Sequence, residues 1–115
     1  MKGFKENGLE WKLHHPRANR ETLGFIPEWL DAADASPLSE QIDRNYKHGG
    51  GWHSCKKFWG EIDSEGTLHS PYEGDQPLPL IASVEHPNGQ KLHFYPHAMV
   101  AVFDADGTFD LARID

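Results

Sequence analysis

Leu9, Trp11 and Leu13 alternate with Glu10, Lys12 and His14, the period of two expected of a half-buried strand, since successive side chains leave opposite faces of a pleated backbone. The same texture fills the C-terminal third. PLIASVEH, QKLHFY, HAMVAVF and TFDLARI are strand-like runs separated by Asn88-Gly89, Pro96 and Asp106-Gly107, turn signals that predict an antiparallel meander. KKFWGEID and TLHS flank a turn at 64–66 and add a shorter hairpin. SPYEGDQPLP holds three prolines and Gly74, too broken for either regular element, and reads as an ordered surface loop.

Between the first strand and these runs the spacing favours helix. Pro27 opens a short helical stretch, PEWLDAAD. A better candidate follows, with Ser36 as N-cap, Pro37 at the first helical position, Glu40 in the first turn, and Leu38, Ile42, Asn45 and Tyr46 on one side. HGGG at 48–51 stops it, with Gly49 able to take the left-handed cap conformation. The expectation is an α+β fold: a short N-terminal strand and one or two helices packed on a C-terminal antiparallel β-meander. It occupies a single compact domain over residues 1–115, with residues 1–8 flexible.

Composition narrows the function classes. At 115 residues, with four Trp, six Phe and three Tyr, the chain can bury one core but cannot house separate catalytic and substrate domains. A formal charge of −7 repels a nucleic-acid backbone, and RANR at 17–20 and Lys56-Lys57 are too short to reverse that field. Cys55 is the only cysteine, which excludes an intrachain disulfide and a Cys-rich zinc site and suits a reducing, cytoplasmic setting. The N-terminus lacks a signal-peptide apolar region, and no window approaches the roughly 18 apolar residues of a membrane span, so no membrane association is expected.

Four motifs invite chemistry. AVFDADGTFD at 101–110 is similar to the first motif of haloacid-dehalogenase-type phosphatases, which would make Asp104 the nucleophile and Asp106 the general acid. Those enzymes draw a phosphate-binding Lys and metal-binding acids from later segments, and only five residues follow Asp110; the hairpin reading therefore prevails, with Ala101 and Phe103 opposite Phe109 and Leu111 and a positive φ at Gly107. An EF-hand is excluded because Val102 stands where an acid is required. His48-Gly49-Gly50-Gly51-Trp52 looks like the oxyanion motif of lipase-type hydrolases, yet no Gly-x-Ser-x-Gly elbow accompanies it. The glycines instead read as a helix cap and tight crossing.

Eight histidines raise metal binding. His48, His53, Cys55, His93 and His97 are the candidate zinc ligands, provided the fold brings the glycine segment beside the meander; spacing alone does not require it, and no cofactor is expected. His53 and the two lysines after Cys55 would also lower a thiol pKa, although a lone Cys beside Phe58 and Trp59 reads first as core filler.

ETLGFIPEWL, YKHGGGW and the C-terminal FYPHAMVAVFDADGTFDLARID together resemble small bacteriophage- and prophage-encoded proteins, actinobacterial ones included, with no assigned function. The resemblance covers residues 11–115 and implies a phage-type origin in a bacterial host without supplying a mechanism. With no complete catalytic constellation, the expected activity is binding another protein rather than catalysis, through a surface of Trp29, Tyr46, His48, Gly49, Gly50, Gly51, Trp52, His53 and Trp59. A small metal-dependent or Cys/His hydrolytic enzyme and a virion accessory protein are the alternatives.

Overall fold

The computed structural model describes residues 2–15, 30–45, 52–54, 60–70, 76–97 and 99–114. Strands β1 (Lys2–Glu6), β2 (Leu9–Leu13), β3 (Trp52–Ser54), β6 (Ala82–Glu85), β7 (Lys91–Phe94), β8 (Met99–Phe103) and β9 (Phe109–Ile114) form one antiparallel sheet in the order β1-β2-β6-β7-β8-β9-β3. A second, two-stranded sheet pairs β4 (Glu61–Ile62) with β5 (Leu68–His69), and a bridge from Leu68 to Leu78 extends it. The single helix among the described residues is α1 (Leu38–Asn45).

The architecture is nearly all β, which corrects the α+β expectation. Part of the reason lies in the stretch read as PEWLDAAD. Its described residues form turns, because Asp31 Oδ1 accepts from the Ala33 N–H and Asp34 Oδ1 from the Ser36 N–H, at 2.9 and 3.0 Å. Such side-chain bonds offer the backbone an alternative to the helical ladder. The other part lies at the N-terminus. Residues 2–6, expected to be flexible, pair residue for residue with β2. Asn7 and Gly8, at φ 53° and 76°, make the two-residue turn that matches strand twist and tolerates left-handed backbone. Phe4 then stacks on Trp11, ring centroids 5.9 Å apart.

Strand alternation gives the large sheet two faces. On the first, Leu9, Trp11, Ala82, Val84, Leu92, Phe94 and Val100 are buried under Leu30 and Leu38. On the second, Tyr95, Met99, Ala101, Phe103 and Leu111 are buried with Leu68 and Leu78 of the small-sheet region. Being covered on both sides, β8 is apolar throughout, which explains why MVAVF shows no alternation.

One end of the sheet is fastened by polar side chains. Gln90 Oε1 accepts from the Leu38 N–H at 2.7 Å while its Nε2 donates to Asp104 Oδ1 at 2.8 Å, so a residue 52 positions away caps the first turn of α1. His86 is buried and satisfied at both ring nitrogens: Nε2 contacts the Asp31 carbonyl at 2.9 Å and Nδ1 accepts from the Asn88 N–H. This histidine fastens the 31–36 segment to the β6–β7 hairpin.

Candidate functional site

Three hairpins share one backbone design. In 63–67, 86–90 and 104–108 the first N–H bonds the fifth carbonyl and the fourth N–H bonds the first carbonyl. The fourth residue is Gly66, Gly89 or Gly107, at φ 86°, 94° and 91°, as a type I turn followed by a left-handed residue requires. AVFDADGTFD is therefore a turn: Ala101 pairs with Leu111 and Phe103 with Phe109. Asp104 and Asp106 are exposed. The Thr108 hydroxyl and N–H both bond Asp106 Oδ1, holding that carboxyl below its ordinary range. In the 63–67 turn it is the first residue, Asp63, whose carboxyl is held low, foremost by its bond to His69, 3.0 Å away.

Among the described residues, the second face of the large sheet is covered over β8 and β9, where Leu68 and Leu78 of the small-sheet region pack on Met99, Ala101, Phe103 and Leu111, and carries a polar ledge on β2, β6 and β7. Register builds it: Ser83 pairs with Lys12 on one side and His93 on the other, and Lys91 lies between Glu85 and Phe103. His14, just past β2, brings Nε2 to 2.7 Å from Ser83 Oγ. The alternation set by the His86 N–H to Gln90 bond makes Ser83 and His93 a non-hydrogen-bonded pair, the kind whose side chains approach most closely.

His93 stands at the boundary between the covered part of this face and the ledge. Its ring packs against Phe103 at 4.6 Å between centroids, and Lys91 Nζ lies 4.8 Å above that same Phe103 ring. The Tyr95 hydroxyl donates to the Gly66 carbonyl at 2.7 Å, tying the small sheet's turn to the large sheet. With that proton committed, the 3.3 Å contact between Tyr95 Oη and His93 Nδ1 is a donation from Nδ1–H. Burial, then the charges of Lys91 and His14, push the His93 pKa down to about 4. Burial and Lys12 lower that of His14, and burial raises that of Tyr95. Both ledge imidazoles are thus neutral near pH 7, able to accept a proton or a hydrogen bond.

Of the residues singled out in the sequence, Trp29, Tyr46, His48, Gly49, Gly50, Gly51, Cys55 and Trp59 lie outside the described residues. Trp52 and His53 are described as backbone positions in β3, paired with Ile114 and Arg113. His93 is on the ledge, while His97 is exposed in the β7–β8 turn at φ 64°. Among the described residues, no group of three or more His, Cys, Asp and Glu is placed to hold a metal ion. Trp11, the one Trp whose side chain is described, is buried in the core. His14, Ser83 and Tyr95 were missed in the sequence; their only local signal is polar residues at alternate positions of runs whose other positions are apolar.

No helix among the described residues is long and apolar enough to cross a membrane. No family model, curated protein or solved structure matches the chain, so the phage resemblance gains no support from these comparisons.

Proposed function

We propose that the chain works by binding another protein, and that the ledge on the second sheet face is a contact surface. The carrying observation is the ledge itself: Lys12, His14, Ser83, Lys91 and His93 occupy one side of three adjacent strands whose continuation on β8 is buried. A surface with mixed cationic, hydroxyl and imidazole groups beside aromatic rings suits recognition, where aromatic bodies supply area and polar tips supply register. The Trp-rich stretch at 46–59 is the companion surface in this proposal. A cytoplasmic setting, a phage-type origin and a virion accessory role go with it as further proposals; detection of the chain in purified particles tests the last.

Paired capture tests the ledge. Wild-type chain and the double variant Lys12→Glu/Lys91→Glu are compared in host extract, with Ala105→Glu at an exposed hairpin tip as control. The reading holds if one protein is retained by wild type and the control at equal folded content and lost by the double variant. It fails if all three retain the same proteins.

A second reading is favoured by the 2.7 Å His14–Ser83 contact: acyl transfer, with Ser83 Oγ attacking an ester carbonyl, His14 Nε2 taking its proton and giving it to the departing alcohol as the ester C–O bond breaks, and water then releasing the acyl group from Ser83. A p-nitrophenyl acetate burst that disappears in Ser83→Ala supports it. Equal background hydrolysis by both chains rejects it.

A further inference from the structure

We infer that the ledge binds an oxyanion between the imidazoles of His14 and His93, and that in the partner this group is a carboxylate of an acidic segment. The inference rests on the protein-binding reading above and names the chemistry the partner presents.

The geometry centres on Ser83. His14 touches its hydroxyl from one side at 2.7 Å, and His93 faces it directly across the β6–β7 pair, with Cβ atoms about 4.5 Å apart in pairs of this kind. An acceptor seated over Ser83 is therefore within reach of a hydroxyl and two rings. Because Nδ1–H of His93 is used on Tyr95, the ring atom left to meet a ligand is Nε2, which has no hydrogen-bond partner among the described residues. Protonation turns Nε2 from an acceptor into a charged donor, and an anion is the ligand that rewards the change.

Charge on the ledge points the same way. The groups on the ledge around His93 are Lys91 on its own strand, Lys12 and His14 from β2 and its continuation with Glu10 beyond Lys12, Ser83 and Glu85 from β6, Phe103 from β8, and Tyr95 with Asp63 behind it. Glu85 pairs with Lys91 in register, yet the Lys91 ammonium sits over Phe103. No carboxylate hydrogen-bonds either imidazole among the described residues. Although the whole chain carries −7, screening over about 8 Å at physiological ionic strength lets these neighbours dominate locally. That balance favours a short acidic segment, which delivers one or two carboxylates, over a long polyanion whose remaining charges would meet the acidic surface.

The test uses the full chain with isotope-labelled histidine. Sulfate is the probe because it does not titrate between pH 5.5 and 7.5, and chloride keeps ionic strength constant. Expected are saturable shifts of the His14 and His93 ring signals, with His69, His86 and His97 unmoved. Affinity should tighten about tenfold from pH 7.5 to 5.5 through linked proton uptake. Lys12→Gln/Lys91→Gln should weaken binding, and His93→Gln should flatten the pH dependence while leaving the urea midpoint at pH 7.5 close to wild type. A hexaglutamate peptide should move the same two rings. Non-saturating shifts, or equal shifts at all these histidines, overturn the site; an RNA hexamer that displaces the peptide overturns the acidic-segment assignment. If sulfate and peptide leave the ledge unmoved while ledge-dependent capture persists, this inference fails and the binding reading stands; the converse result rejects the binding reading, and the partner carboxylate with it, and leaves the anion site.

Discussion

His93 gives the sharpest link between structure and a measurable property. Its ring is half-buried against Phe103 and committed through Nδ1 to Tyr95, so the folded chain resists a proton that the unfolded chain accepts. Stability attached to this group is intact above pH 6.5, is lost as the pH falls towards 4, and levels off below. The drop from 6.5 to about 4, at about 1.36 kcal/mol per pH unit, sets an upper limit of roughly 3 kcal/mol, and solvent screening of a partly exposed ring brings this to about 1.5 kcal/mol. Urea unfolding followed by Trp fluorescence from pH 7.5 to 4.5 reads the loss directly. In His93→Gln, whose amide can still donate to Tyr95, most of the slope should vanish; a residue remains from His14, which is shifted in the same direction. The carboxyls of Asp63 and Asp106 are lowered from 3.8, so their contributions are lost only at lower pH, outside this window. Parallel curves for wild type and His93→Gln down to pH 4.5 would refute the burial and tautomer assigned to this ring.

Three further outcomes follow from the packing. Gly107→Ala meets positive φ and open space and should cost about 1 kcal/mol, whereas Gly66→Ala also drives its Cβ to 3.0 Å from Leu80 Cδ2 and should cost about twice that; denaturant midpoints rank the two. Gln90→Ala removes the Leu38 cap and the bond to Asp104 and should cost about 1–2 kcal/mol, with amide exchange rising first in α1. Trp11→Ala empties the centre of the first core and should cost about 3–5 kcal/mol by equilibrium unfolding.

What could be read in the sequence was local. Alternation in β6, β7 and β9 and the Asn88-Gly89 and Asp106-Gly107 turns rest on backbone preferences within a few residues, and the structure places them as expected. The Ser36-Pro37 signal places the start of α1 one position early: the helix begins at Leu38, whose N–H is capped by Gln90 rather than by Ser36, itself bonded to Asp34. Strand β1 was harder to see because Phe4 is its only large apolar residue; it is secured by stacking on Trp11 rather than by its own pattern. Asp31 and Asp34 misled in the other direction, since residues compatible with a helix also make side-chain turns. The ledge was illegible for a deeper reason. His14 and Ser83 are 69 positions apart, and they meet only because β2 pairs with β6, a non-consecutive neighbour that periodicity does not specify.

The binding claim is tested most directly by the histidine ring signals of the labelled chain, recorded alone and with the captured partner. His14 and His93 report the ledge, while His69, buried His86 and His97 serve as internal references on other parts of the fold. The account requires that the partner shift His14 and His93 saturably and leave the three references in place. A partner that binds at full occupancy while both ledge imidazoles stay where they were would contradict it.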